Sequence, residues 1–271
     1  MSRRRTGVGA VVGLMLAAGL GPQHGAQQRA ETVAAPALRL VLNIPAYRLD
    51  VYEDGELTRS YRVAVGAASY PTPVGSYAIS RVEWNPWWRP PQSRWARGKQ
   101  PEPPGPANPM GRVKLYFLEL YYLHGTPVRG SIGEPASHGC VRMLNEDAIE
   151  LARLVHEYAS PGLTSSQVDA ILADSRRTRV IGLARPVPLE VRYDVVEVRE
   201  GELVVHPDVY GRMGPGGVRE RALQALAAAG VSPGRVRETR LAEVERGVRG
   251  SESVSVPIDE LLWEPLGVPV E

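Results

Sequence analysis

Hydrophobic and polar positions alternate through Leu38-Arg39-Leu40-Val41-Leu42-Asn43-Ile44, a period of two that predicts a strand. Leu49 and Val51 before Glu53-Asp54-Gly55-Glu56, and Tyr61, Val63 and Val65 after it, predict two strands joined by a hairpin, because glycine after aspartate accepts the positive φ of a tight turn. Tyr77-Ala78-Ile79 and Val113 to Leu120 predict further strands, the latter leading through Leu123 to His124. After Cys140 the period changes. Leu144, Ala148, Ile149, Ala152, Val155 and Ala159 follow a three-four spacing, opened by Asn145, Glu146 and Asp147 where capping and acidic residues suit a helix N-terminus. Thr164-Ser165-Ser166-Gln167 fits a capping box for a short second helix ending near Ala173. Strand character returns at Val180-Ile181, Leu189-Glu190-Val191 and Val195 to Val198, and Glu200-Gly201-Glu202 turns the last into Leu203-Val204-Val205. Beyond Gly214-Pro215-Gly216-Gly217 the pattern predicts a helix from Val218 to Ala229 and then a charged tail. The predicted fold class is mainly β with a few helices, α+β, over about Leu38 to Tyr210.

A long stretch from Trp84 to Met110 is dense in Pro, Trp, Gly and Asn and holds four of the five tryptophans: Trp84, Trp87, Trp88 and Trp95. Disordered segments are poor in aromatics, so this reads as an ordered loop packed on the sheet. Trp87 and Trp88 read either as core under the loop or as a lid. The 271 residues, 43% of them hydrophobic, suffice for one large core or two small ones. A net charge of +2 argues against a dedicated nucleic-acid binder, which needs an excess of positive charge on one face. Lys99 and Lys114 are the only two lysines among 32 basic residues, which reads as codon bias. At the N-terminus, Met1-Ser2-Arg3-Arg4-Arg5 precedes an apolar run from Gly7 to about Leu20 and a polar stretch from Gln23. That is the layout of a secretory signal peptide, with a retained membrane anchor as the alternative. The expected location is outside the cytoplasm, in the periplasm or cell envelope.

Cys140 is the only cysteine, so no intramolecular disulfide exists. It lies in Leu123-His124-Gly125-Thr126 … Ser137-His138-Gly139-Cys140-Val141-Arg142. A free thiol is only a few per cent ionised at neutral pH, so a nucleophilic cysteine wants an imidazole to take its proton. His124, at a strand end, and Cys140, after a Gly-rich loop, can meet across that loop. Gly139 allows close approach of backbone and substrate, and the amides of Gly139 and Cys140 are candidate oxyanion donors. Three readings fit these residues: thiol acyl transfer, a metal site from His124, His138 and Cys140 (at a spacing foreign to the common zinc patterns), or a buried cysteine among ordinary histidines.

His124 followed by Ser137-His138-Gly139-Cys140 resembles the signature of the L,D-transpeptidases with a YkuD-type catalytic domain, in the branch of ErfK and YbiS. Thr72-Pro73-Val74-Gly75, Asn85-Pro86-Trp87-Trp88-Arg89-Pro90-Pro91, Asn108-Pro109-Met110-Gly111 and Glu146-Asp147 are similar to further landmarks of that family, in its order. The resemblance implies a β-sandwich-like catalytic domain and a ping-pong reaction on peptidoglycan stem peptides, with no cofactor and no metal. It implies Cys140 as nucleophile, His124 as base, and the backbone carbonyl of Gly125 as the group that orients the imidazole. Acyl transfer would go to an amine, giving a third-to-third crosslink or protein anchoring. An L,D-carboxypeptidase and a non-catalytic peptidoglycan-binding module are the alternatives. Carbapenem-type β-lactams are implied inactivators, and a membrane is a partner only through an uncleaved N-terminal segment. Arg142 stands where many members have Asn and is expected to bind a stem carboxylate, as guanidinium geometry suits. His138 and Ser137 are further expected substrate-binding residues, Ser137 alternatively bracing the loop. Pro186-Val187-Pro188 through Gly211 is similar to a strand pair of longer members. The expected division is 1–30 signal or anchor, 36–184 catalytic domain, 185–213 β extension and 214–271 C-terminal appendage.

Overall fold

The computed structural model describes residues 38–248 and 250–263; the expected export segment over 1–30 lies outside the described residues. Three strands open the fold: β1 (Leu38–Asn43), β2 (Arg48–Glu53) and β3 (Glu56–Arg62). The β2–β3 turn has positive φ at both Asp54 (50°) and Gly55 (91°), the conformation that matches the twist of a two-residue hairpin. There follow β4 (Gly75–Trp84), β5 (Val113–Leu118), β6 (Tyr121–Thr126), β7 (Val141–Leu144), α1 (Asn145–Ala159), α2 (Ser165–Ala173) and β8 (Arg179–Arg192). They form one eight-stranded sheet in the order β3-β2-β1-β8-β4-β5-β6-β7. The chain leaving β3 at one edge reaches β7 at the other, where Ala64 and Arg142 exchange backbone hydrogen bonds of 2.8 and 2.9 Å. Both edges are thereby joined around a core, in an α+β architecture that is mainly sheet.

The core follows from alternation. Val82, Trp84, Val113, Leu115, Leu123, Val141 and Met143 are fully buried, together with Ala148, Leu151, Ala152 and Val155 of α1. Each large apolar side chain withdrawn from water contributes roughly 1.5–3 kcal/mol. The capping box of α2 is present, with Thr164 and Gln167 bonding reciprocally.

Four elements differ from the sequence pattern, and the first is β7, a strand of 4 residues that is too short for its period to show. The run from Val113 to His124 is two strands, reversed at Glu119-Leu120, where Leu120 adopts φ 66° with neither Gly nor Asn to signal a turn. The pieces at Val180 and Leu189 are one strand, β8. Its first half pairs with β4 alone, since β1 reaches only Leu189 to Arg192, so Pro186 leaves no ladder bond unmade on that open side. Finally, the charged tail folds. β9 (Val196–Arg199), β10 (Glu202–Val205), α3 (Gly217–Ala228), α4 (Glu238–Gly247) and β11 (Val254–Pro257) make a three-stranded sheet, β11-β10-β9, with its own core of Leu203, Val205, Leu226, Leu241, Val244, Val256 and Leu261 among others. Leu241 and Val244, three apart, form a narrow apolar stripe that the surrounding charges hid in the sequence. β8 runs unbroken through positions 184 and 185, and β9 and β10 share their core with the chain beyond 214. Arg48 of β2 bonds both carboxylate oxygens of Glu197 in β9, at 2.8 and 2.9 Å.

Candidate active site

Side chains alternate across a strand, so the polar residues between the core positions emerge together on the opposite face. Strand register sets them in rows. Glu83 of β4 is paired with Lys114 of β5, Lys114 with His124 of β6, and His124 with Arg142 of β7. The neighbouring row holds Arg81, Tyr116 and Tyr122. Cys140, one residue before β7, continues that second row beside Tyr122, and its thiol donates to the Leu120 carbonyl at 3.4 Å. His124 and Cys140, expected to meet across a loop, thus stand on adjacent rows of one sheet face.

Within these rows each group has a defined partner. Lys114, buried, donates to the Trp87 carbonyl at 2.9 Å and lies 3.4 Å from Glu83 Oε2, with Nζ 5.2 Å from the centre of the Tyr122 ring. The Tyr116 hydroxyl donates to the same Glu83 oxygen. His124 is buried, with Nδ1 2.7 Å from the Gly125 carbonyl. A carbonyl only accepts, so Nδ1 carries the proton and Nε2 holds the lone pair. Burial pulls the His124 imidazole down to about 3, and the Arg142 and Lys114 cations act in the same direction. Burial pushes the Cys140 thiol up to about 11, against the lowering effects of the Tyr122 amide, Lys114 and Arg142. At neutral pH the resting pair is therefore a neutral imidazole and a neutral thiol. A neutral imidazole with a free Nε2 lone pair is chemically able to accept a proton from a neutral thiol.

The loop before the nucleophile candidate is braced from within. Ser137 is buried; its hydroxyl accepts from the Gly139 amide at 3.0 Å and donates to the Cys140 carbonyl. Of the two amides expected at an oxyanion, that of Gly139 is thus bonded inside the loop. Gly139 has φ 107°, and a Cβ there would stand 2.6 Å from the Tyr121 ring, so only glycine fits. His138 is exposed on the rim. Trp95, on the 3₁₀ turn Arg94–Ala96, stacks on its ring at 3.9 Å, and Tyr70 flanks it at 4.8 Å. Arg142 is half-buried, its charge coupled to the Cys140 sulfur. The other tryptophans of the long loop divide: Trp84 and Trp88 are buried and Trp87 is exposed. The Asn-Pro pairs are turn braces, Asn85 Nδ2 donating to the Ile171 carbonyl and Asn108 Nδ2 to that of Pro86. Among the described residues no group of three or more His, Cys, Asp or Glu side chains is placed to hold a metal ion.

Sequence reasoning passed over several residues of this site. Asn145 was expected to cap α1, but its side chain caps nothing there. It accepts from the Arg112 amide at 3.0 Å and occupies the space that a Cβ on Gly111 or Gly125 would need. Those two glycines are the signal that would have found it. Lys114 had its own signal, a lone lysine at the same strand parity as His124 within an apolar alternation.

Residues 38–181, more than half of the chain, match the family model of the L,D-transpeptidase catalytic domain, YkuD. The chain is 33% identical over 117 residues to "Probable L,D-transpeptidase ErfK/SrfK" of Escherichia coli K12, covering 40% of this chain and 38% of that protein. It is 31% identical over 118 residues to "Putative L,D-transpeptidase YkuD" of Bacillus licheniformis, covering 43% and 59%. It therefore spans well under two thirds of the length of these curated relatives. Among solved structures, an L,D-transpeptidase from Mycobacterium smegmatis aligns over 58% of both chains at 16% identity and a TM-score of 0.38. L,D-transpeptidase 3 from Mycobacterium tuberculosis, in complex with a faropenem-derived adduct, aligns over 58% of this chain and 61% of its own at 18% identity and a TM-score of 0.37. On the match over 38–181, this chain belongs to the L,D-transpeptidase catalytic-domain family.

Proposed function

We propose that the protein is an exported peptidoglycan L,D-transpeptidase working through a cysteine acyl-enzyme, with residues 1–30 as its signal or anchor and the periplasm or cell envelope as its location. The observation that carries this reading is the pair of adjacent rows bearing His124, Arg142 and Cys140 on one sheet face, with Nδ1 of His124 engaged by Gly125. His124 Nε2 takes the Cys140 proton as sulfur bonds the carbonyl carbon of the third stem residue. The carbon–nitrogen bond to D-alanine then breaks, and the proton returns to the leaving amine. A side-chain amine of a neighbouring stem, giving up a proton to His124, attacks the thioester; an amide forms and the thiol is regenerated. The amides of Cys140 and Gly139 stabilise the oxyanion, which requires Gly139 to loosen its bond to Ser137 as charge develops. Arg142 pairs with a stem carboxylate and His138 borders the substrate, while Ser137, buried, braces the loop that carries Cys140. A carbapenem acylates the same sulfur.

The test is the intact mass of the protein after incubation with disaccharide-tetrapeptide, beside Cys140→Ala, with the muropeptides separated afterwards. An adduct on the unmodified protein alone, together with crosslinked dimers, is the expected result. An adduct decaying to tripeptide without dimers makes the enzyme an L,D-carboxypeptidase. No adduct from a folded protein, with tetrapeptide or a carbapenem, leaves a wall-binding module.

A further inference from the structure

Tyr210 belongs to the chain beyond β10, yet its hydroxyl makes its bonds elsewhere. It donates to the Gly66 carbonyl at 3.0 Å and accepts from the Thr72 amide at 3.0 Å, tying together both ends of the 66–72 loop. Thr72 is fully buried, and its hydroxyl accepts from the Gly66 amide at 2.9 Å and donates to the Gly139 carbonyl at 2.9 Å. The two glycines lie back to back, for a Cβ on Gly66 would stand 2.9 Å from Gly139 Cα. A short chain of bonds thus runs from Tyr210 through Thr72 to the residue preceding Cys140. The tyrosine is itself held firmly. Its amide donates to the Tyr193 hydroxyl at 2.6 Å, that hydroxyl donates to Asp208 at 2.6 Å, and the two rings stack at 5.4 Å under the Arg212 guanidinium. The ring and amide serve the local packing; both hydroxyl partners lie in the loop.

We propose that Tyr210 is a positioning residue for acylation of Cys140, fixing Gly139 through Thr72 so that the chain beyond β8 completes the nucleophile loop. This rests on the reading of Cys140 as nucleophile. Removing one hydroxyl that both donates and accepts leaves the loop free to sample positions in which the Gly139 amide misses the developing charge.

The test compares the full chain with Tyr210→Phe, which keeps the ring, by carbapenem acylation rate (intact mass) and by amide hydrogen exchange. The expected result is acylation slowed about tenfold, as loss of a net hydrogen bond allows. The half-saturating carbapenem concentration stays unchanged, and exchange is faster in 66–72 and 137–140 but not in 193–213. Thr72→Val acts in the same direction, and the double variant is no slower than the slower single one, because both sit on one path. Val244→Ala, in the core beneath β11, controls for stability: at a matched fall in Tm it acylates as the unmodified protein does. Tyr210→Phe acylating at the unmodified rate overturns the proposal, as does an equal slowing in Val244→Ala. If the unmodified protein forms no adduct, the nucleophile reading fails instead, and loop exchange alone decides whether Tyr210 holds Gly139.

Discussion

Cys140 and His124 stood out as residues because their types are rare and their chemistry specific: a lone thiol and an imidazole at a strand end, with glycine beside each. Their protonation was not legible, since burial and neighbouring charge belong to the folded chain. The thiol, pushed up to about 11 by burial, ionises only in alkaline solution. Alkylation of Cys140 by iodoacetamide in the free protein should therefore keep rising with pH through 9 to 11 instead of levelling off near neutrality; an intact-mass time course at each pH measures it. Arg142 lowers the thiol, because a nearby cation favours the thiolate, and its guanidinium stays charged in the alkaline range where burial has drawn the Lys114 ammonium down. Arg142→Gln should move that pH profile further to alkaline values, and an unmoved profile would separate Arg142 from the sulfur electrostatically.

At the scale of elements, the pattern of apolar positions located most strands and both helices of the catalytic region, because each element that buries one face repeats at its own period. It failed where an element's ends are set by partners. The β5–β6 turn forms at Leu120, exposed and at φ 66°, because the sheet register demands a reversal there. Left-handed backbone costs an ordinary residue roughly 1–2 kcal/mol and asparagine less. Leu120→Asn should accordingly raise Tm by a few degrees at most, read by thermal unfolding. The approach of the loop beginning at Gly66 to the loop bearing Gly139 is a contact between elements 73 positions apart in the chain, which no local signal encodes. Gly66→Ala places a Cβ against the Tyr70 carbonyl, the Thr72 amide and Gly139 Cα, and overpacking of that kind costs about 1–3 kcal/mol. A fall in Tm together with slower Cys140 acylation is the expected outcome.

For the molecule as a whole, stability should depend on pH through buried histidines. His156, under Trp84, accepts from the indole N–H at 3.1 Å, and burial draws its imidazole down to about 4. His124 is lower still, at about 3. An unfolded chain takes up protons on both near 6.5, while the folded chain refuses them until far lower pH. Their neutral, buried state is thus without cost above about pH 7, and stability declines as pH falls from there toward 4. Glu197 acts lower down: bonded by His206 and Arg48, it is held at about 2 despite its burial. Its contribution is complete above the ordinary carboxylate range and is lost only below it. Tm measured from pH 7.5 to 4.5 should fall steadily, and His156→Gln should flatten that slope; an unchanged slope would exclude His156 as its source.

Most strands, the helices α1 to α3, the family membership and the candidate thiol and imidazole were already legible along the chain, because periodicity, turn chemistry and rare reactive side chains are local properties. Tertiary structure alone decided that Glu83, Lys114, His124 and Arg142 form one row, since register between strands sets which distant residues become neighbours. It also decided that the charged tail folds as α4 and β11, the latter the third strand of the small sheet, and that Tyr210 bonds the loop behind Gly139. A hydroxyl's partners are a matter of where the backbone brings it, and that is settled only when the sheet closes.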